Sequence, residues 1–327
     1  MKAATFGEIM LRLSPAGSLR FMQEPGFKAY FGGSEANTAI ALAQLGIDTS
    51  FITALPENDI ASSCVKELSS FGIDCSHIAR KGSRMGIYFC ENGAGIRPGK
   101  VIYDRKNSSF SQSGLNDFDI AFILSDASFF HFTGITPALS DGCAALTLAF
   151  AKAAHEKGIP VSCDLNYRST LWSNEKAGAV MRSLMPYVNV LMANDGSCLD
   201  VFGIECENNE ALASRLTDEF GFDCVALTSR KSFSASVNAL SGMLYTEGRA
   251  YYSDEITVDI VDRVGGGDAF NAGIIYGLLK GLPPQETVNT ANALNAFKHT
   301  VEGDYAVFTP EEIKAVASGL LDGRIKR

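Results

Sequence analysis

Short apolar runs edged by glycine or polar turns alternate along this chain with longer stretches whose apolar positions recur at helical spacing. Residues 3–7 (AATFG) precede a helical pattern from Ser34 to Leu45, residues 49–55 (TSFITAL) one from Ile60 to Phe71, and residues 127–134 (ASFFHFTG) one from Leu139 to Glu156. Strand-like runs separated by helix-length segments predict a parallel sheet with crossover helices. The alternation continues through residues 159–166 (IPVSCDLN), 188–194 (VNVLMAN) and 224–229 (CVALTS). Gly46, Gly72 and Gly158 each follow a helical segment, where a left-handed terminating residue is wanted.

Two stretches break this rhythm. Glu8 to Phe31 and about Arg84 to Phe110 are polar, contain glycine and carry short alternating runs such as MGIYFCE and KVIYDRK, which predict small antiparallel insertions. A hairpin leaves edges that must be paired or covered, so such insertions serve as a lid, a dimer contact or both. With no linker, repeat or low-complexity stretch, residues 1–327 are expected to form a single domain bearing a lid from about 8–31 and 84–110.

Composition narrows the partners. The chain is 46% apolar and 20% charged, as globular proteins are, and its net charge of -9 disfavours nucleic acid or an anionic membrane, since neutralising phosphates needs a basic face. An anionic ligand must therefore be held locally. The eight cysteines form no CxxC pair or zinc spacing and read as small buried hydrophobes. No secretion signal or membrane-spanning run is expected, which points to a reducing cytoplasm. The four histidines, His77, His131, His155 and His299, have no metal-like spacing and are expected to be structural.

Chemistry concentrates in residues 258–282, VDIVDRVGGGDAFNAGIIYGLLKGL. A β-like run passes through Gly265, Gly266 and Gly267 and opens a helix at or near Asp268, a geometry suited to an anion: glycines permit close backbone approach and the helix dipole adds partial positive charge. Phosphoryl transfer asks for donors around the transferring group and a base for the attacking hydroxyl, and Asp268 stands directly after the cradle. A tight turn with Asp268 as an ordinary helix cap is the alternative. Gly273, Gly277 and Gly281, four apart, predict a face for close packing. No GxxxxGK[ST] occurs, which removes the P-loop route, and no GxGxxG follows the first strand. Near the other end, residues 31–46 (FGGSEANTAIALAQLG) place Gly32 and Gly33 before Ser34, a good N-cap, with Glu35 and Asn37 in the first turn where they could meet sugar hydroxyls.

GG followed by an Asn-bearing, alanine-rich helix near the N-terminus, and G-x-GDAF-x-AG near the C-terminus, together resemble the paired signatures of the ribokinase-like (PfkB-type) carbohydrate kinases. The resemblance runs from GEIMLRLSP at residue 7 to KHTVEGDYAVFTPEEI at residue 298. GEIMLRLSP, GGSEAN, VIYDRKNSSFS, CDLNYRSTLW and VDRVGGGDAFNAGIIYGLL are similar to the 2-dehydro-3-deoxygluconate (KDG) kinases in particular. The resemblance implies an α/β fold, a three-layer α/β/α sandwich with a mostly parallel central sheet and a small β-lid. It also implies ATP-dependent phosphorylation of a sugar acid at the C6 hydroxyl, with Asp268 as base and the Gly265–Gly267 amides as phosphate donors. A fructokinase on the same scaffold and a non-catalytic sugar-acid-binding homologue are the alternatives.

By the same resemblance Gly32, Gly33, Asn37, Tyr88, Tyr103, Arg105 and Arg168 would face the sugar acid. An arginine fork suits its carboxylate, although either arginine could instead be a surface ion pair. Asn166, Asn194, Thr228, Arg230 and Lys231 would serve the nucleotide, as would the last helix with Asn292, Asn295 and Lys298. ATP and Mg2+ are the implied cofactors, a monovalent cation is admissible, and a lid-mediated homo-oligomer is the family expectation. One departure concerns the metal: where the family carries N-x-x-E, this chain has Asn194-Asp195-Gly196-Ser197, so no ligand set for Mg2+ is assigned. Val264-Gly265 likewise replaces the common Thr-Gly.

Overall fold

The computed structural model describes residues 1–320; the expected domain runs to 327, and residues 321–327 lie outside the described residues. The chain opens with strands β1 (Lys2–Phe6), β2 (Met10–Ser14) and β3 (Lys28–Gly32), then helix α1 (Ser34–Gln44), β4 (Asp48–Leu55), α2 (Asp59–Ser70) and β5 (Ile78–Arg80). Strands β6 (Gly86–Glu91) and β7 (Lys100–Asp104) follow, then two single-turn helices, α3 (Ile120–Ile123) and α4 (Ile135–Ala138), on either side of β8 (Phe129–Thr133). Next come α5 (Asp141–Glu156), β9 (Val161–Asp164), α6 (Asn174–Leu184), β10 (Val190–Ala193), α7 (Asp195–Phe202), α8 (Asn209–Phe220) and β11 (Cys224–Ser232). The hairpin β12 (Val237–Thr246) and β13 (Arg249–Tyr252), strand β14 (Ile256–Asp259), and helices α9 (Gly266–Lys280), α10 (Pro284–Lys298) and α11 (Pro310–Ala317) complete it. The helix bearing Asn292 and Lys298, expected to be the last, is thus followed by another.

The central sheet runs β13-β12-β11-β10-β9-β8-β1-β4-β5, with β14 also paired to β12. Its pairings from β11 through β5 are parallel, and β12 runs antiparallel to β11, β13 and β14. The parallel sheet with crossover helices is therefore present, closed at one end by an antiparallel edge that the sequence pattern did not predict. Period-two alternation sorts the strand residues into two cores. Leu191, Ala193, Val225 and Leu227 pack with α5, α6 and α8 on one face, whereas Val190, Met192, Cys224 and Ala226 pack with α1, α9 and α10 on the other. That arrangement is a three-layer α/β/α sandwich.

The two expected insertions meet in a separate four-stranded sheet, β3-β2-β6-β7. Its middle pair, β2 and β6, is parallel, while β2–β3 and β6–β7 are antiparallel hairpin-type pairs. Gly46, Gly72 and Gly158 all take positive φ, as their positions after helices required.

Candidate active site

One cavity of about 760 Å³ opens where the carboxyl ends of β9, β10 and β11 meet the N-terminus of α9 and the inner face of the four-stranded sheet. Its walls carry Asp164 and Asn194 from the ends of β9 and β10 and Thr228 from β11 just past its parallel pairing with β10, so the site lies where open α/β sheets bind ligands. The volume falls within the range of small-molecule sites, roughly 300–1,000 Å³.

The floor is the glycine turn. Gly265 caps α9 at φ 86°, a left-handed conformation that costs a side-chain-bearing residue about 1–2 kcal/mol. A Cβ there would strike the carbonyl oxygen of Asp304, and one on Gly266 would strike the His299 ring. Gly267 differs: nothing lies within 4 Å of where its Cβ would stand, so it fronts open space. The Gly266 N–H donates to the Arg263 carbonyl at 3.4 Å, whereas among the described residues the Gly267 and Asp268 N–H groups have no acceptor, as first-turn donors of a helix do.

Asp268 is the third residue of α9, not its cap, and is 8% exposed. One carboxylate oxygen accepts from the Ser34 hydroxyl and the other from Asn37 Nδ2 at 2.7 Å. Burial pushes its pKa up to about 6; the bonds from Ser34 and Asn37 hold it down, and Asp164 and Asp304 nearby push it up further. The carboxylate is thus fixed in orientation, and its raised pKa would suit a base working near neutral pH. The ordinary-cap alternative for Asp268 is excluded.

Ser34 also departs from expectation. Gly33 caps α1 through its backbone, and the Ser34 hydroxyl, in the first helical turn, is used across the cleft. It accepts from Asn166 Nδ2 at 3.2 Å while donating to Asp268. Asn166, expected at the nucleotide, thereby steadies the base. It sits at φ 34°, a left-handed conformation asparagine tolerates, and its N–H donates to Asp164 Oδ1 at 3.0 Å. Glu35 turns inward rather than toward a sugar, accepting on one oxygen from the Thr133 N–H and from the Thr133 and Thr136 hydroxyls. Burial lifts its pKa to about 7.

Gly32, Gly33, Asn37, Tyr88, Tyr103, Arg105 and Arg168 all border the cavity. Their chemistry is less uniform than the motifs. Arg105 donates through Nε at 2.8 Å and through Nη2 at 2.5 Å to Glu8, whose other oxygen takes the Ser108 hydroxyl, so an incoming carboxylate competes with Glu8 for this fork. Arg168 is exposed, and among the described residues its guanidinium makes one bond, from Nη1 to its neighbour's carbonyl on Tyr167 at 3.1 Å, which leaves its fork available at the cavity it borders. Tyr88 donates to Asp304, and Tyr103 lies against the Tyr88 ring at 5.9 Å.

On the opposite side, Asn194, Thr228, Arg230 and Asn295 line the cavity. Asn194 Oδ1 is occupied in capping α7 through the Ser197 N–H at 2.9 Å. Three expected nucleotide residues are elsewhere. Lys231 stands on the far side of β11 from Arg230, with its ammonium over the Phe233 ring, because successive strand residues face opposite ways. Asn292 is buried and ties α10 to the carbonyls of Leu240 and Asp254. Lys298 is buried behind the glycine turn. His299, expected to be purely structural, borders the cavity, its Nδ1 engaged with the Asn295 carbonyl at 2.7 Å.

Sequence reasoning missed the residues that brace the site from below. Arg12, fully buried, donates to Asp304 at 2.8 Å and Asp262 at 2.6 Å, and Asp262 Oδ1 accepts from the Val264 N–H at the head of the glycine turn. Asn271 holds Asp164 at 2.8 Å. Arg12 stood in the quoted GEIMLRLSP run, and a lone arginine amid apolar strand positions was the available signal. Among the described residues no group of three or more His, Cys, Asp or Glu side chains is placed to hold a metal.

A buried, oriented carboxylate beside a helix-N-terminal glycine turn is an arrangement suited to phosphoryl transfer onto a hydroxyl group. The profile described as pfkB family carbohydrate kinase matches residues 2–311, and the chain belongs to that family. It is similar to the 2-dehydro-3-deoxygalactonokinase of Haloferax volcanii, 33% identical over 96% of each chain. The 2-dehydro-3-deoxygluconokinase of Thermoproteus tenax is 29% identical, over 96% of this chain and 93% of that one. The crystal structure of 2-dehydro-3-deoxygluconokinase from Thermotoga maritima superposes with a TM-score of 0.96 at 45% identity, over 98% of each chain. The chain is a sugar kinase, and the non-catalytic alternative is set aside.

Proposed function

We propose that this kinase transfers the γ-phosphoryl group of ATP to the C6 hydroxyl of 2-dehydro-3-deoxygluconate. The observation that carries the reading is the Ser34–Asp268–Asn37 arrangement at the mouth of the cradle. The C6 oxygen attacks the γ-phosphorus as the bond to the β-phosphate oxygen breaks, ADP departs, and the hydroxyl proton passes to Asp268. The Gly267 and neighbouring amides face the charge that develops on the transferring oxygens. Asp164 and Asp195 are the carboxylates bordering the cavity that would hold Mg2+ together with phosphate oxygens; oxygen donors of this kind suit that ion, which neutralises phosphate charge when bound.

Arg168 supplies the preference for an acid, since its open fork gains a partner from a carboxylate and none from a neutral ketose. The names of the relatives support a 2-dehydro-3-deoxy sugar acid. We place residues 8–31 and 84–110 as the lid of a single domain. Strand β7, exposed at all five positions, is the edge where a second copy would pair. Eight free cysteines and an ATP donor suit the cytoplasm.

The test is coupled ADP release with 2-dehydro-3-deoxygluconate, its galactonate epimer, fructose and ribose. Arg168→Ala should lower kcat/KM for the sugar acid about 10- to 100-fold while leaving a neutral ketose nearly unchanged. Equal losses on both would remove the carboxylate role. Faster turnover of fructose than of either acid would overturn the substrate.

A further inference from the structure

Lys298 ends α10 with a side chain 0% exposed to solvent. Its ammonium donates to two backbone carbonyls, of Asp262 at 3.4 Å and Val301 at 3.3 Å. The nearby carboxylates of Asp262 and Asp304 are ion-paired to Arg12 instead. An ammonium taken out of water costs several kcal/mol, and a methionine would fill the same space without that cost. Burial lowers its pKa, against the pull of Asp262, Asp304 and Asp268.

Its position suggests what the charge is for. A Cβ on Gly265 would lie 3.3 Å from Lys298 Cε, so the lysine stem runs directly behind the first glycine of the cradle. One carbonyl it holds, that of Asp262, starts the turn into the cradle. The other, that of Val301, belongs to the loop leading to Asp304, whose own carbonyl abuts Gly265. A single ammonium therefore gathers the two loops that form the back wall of the glycine turn. Arg12 and Lys298 against Asp262 and Asp304 also sum to zero charge, so losing the ammonium would leave a net negative charge behind a site meant for polyphosphate.

We propose that Lys298 is a positioning residue for phosphoryl transfer, a built-in cation whose ammonium sets the shape and potential of the cradle through the carbonyls of Asp262 and Val301. The inference rests on the cradle receiving the nucleotide phosphates. Lys298→Met keeps the stem and removes the charge; Lys298→Ala leaves two carbonyls facing a cavity that ammonium or potassium can enter, since carbonyl oxygens ligate both.

Turnover and melting temperature are measured in choline, potassium and ammonium chloride at constant ionic strength. Wild type is expected to be indifferent to the cation. Lys298→Met should lose about tenfold or more in kcat with a raised KM for ATP and an unchanged KM for the sugar. Lys298→Ala should regain activity and thermal stability in potassium or ammonium but not in choline. The proposal is overturned by wild-type kcat and KM for ATP in Lys298→Met, by indifference of Lys298→Ala to the added ions, or by its failure to fold in any of them. The melting measurement is read even if no sugar in the panel is turned over, which separates this proposal from the assignment of substrate.

Discussion

Asp268, as the proposed base, meets two opposed demands, since the burial that would suit it to that role near neutral pH also makes its ionised form costly to the fold. Its pKa stands at about 6 against an ordinary 3.8, so between those values the native chain binds more protons than the unfolded one. Stability from this group is complete below the ordinary value and is lost as pH rises through about 6. Asp268→Asn is therefore expected to abolish turnover by about 10³-fold or more and yet to melt above wild type at pH 8, by on the order of 1–2 kcal/mol. That gain should shrink toward pH 4. Melting curves at the two pH values check the sign; a variant less stable than wild type at pH 8 would mean that the hydrogen bonds outweigh the desolvation. Ser34 and Asn37 work in the opposite direction, favouring the carboxylate. Ser34→Ala should move the acid limb of the kcat profile to higher pH, and an unmoved limb would show that Ser34 does not tune the base.

At the scale of elements, the glycine turn and α9 divide the labour among three adjacent glycines. Gly265 and Gly266 are required by the protein, being pressed against Asp304 and His299, whereas Gly267 has open space before it. Gly265→Ala should destabilise by about 2 kcal/mol or more, from left-handed strain plus collision. Gly267→Ala should melt within a degree or two of wild type and lose kcat/KM for ATP, because its methyl intrudes where phosphate approaches. Melting scans beside steady-state kinetics separate the two, and the reverse pattern would refute the division. The glycine turn into α9 was legible in the sequence because glycines before a helical period mark a helix start, although the same pattern left open whether Asp268 was merely its cap. Ser34 was misread as a cap because its hydroxyl is taken by Asp268, 234 residues away, a partner that local propensity does not see. Gly281 was grouped with Gly273 and Gly277 by spacing, but it is the left-handed cap of α9 while the other two pack on α10. The β12–β13 hairpin was overlooked although Glu247-Gly248 turns it with two positive φ values. Its strand ALSGMLY is apolar on both faces and shows no clean alternation.

For the whole molecule, the question is what holds the four-stranded sheet onto the α/β body. Strand β7 is exposed throughout, and the sheet's apolar anchor at the cleft is small: Met10, Tyr88 and Cys90 against Val264. The sheet also packs through Phe31 of β3 and Leu11 of β2 against Ile40, Phe51, Leu55 and Leu68 of the body, and polar ties add to this. Arg12 on β2 reaches Asp262 and Asp304, and Tyr88 on β6 reaches Asp304, joining residues separated by 250, 292 and 216 positions. No sequence pattern announces a network of that span, which is why the insertions were foreseen and their attachment was not. The same tie connects the sheet that would cover the sugar to the turn that would hold the phosphates, because Asp262 binds Arg12 with one oxygen and the Val264 N–H with the other. Arg12→Met leaves two buried carboxylates without their cation, a loss of about 3–5 kcal/mol. Since the central sheet has its own cores on both faces, that loss should fall on the attachment rather than on the body. Amide exchange is therefore expected to rise in β2, β3, β6 and β7 while β8 to β11 stay protected, with KM rising for sugar and ATP together. A uniform rise in exchange across both sheets would instead make Arg12 a support of the global fold and refute its assignment as a local tie between the two sheets.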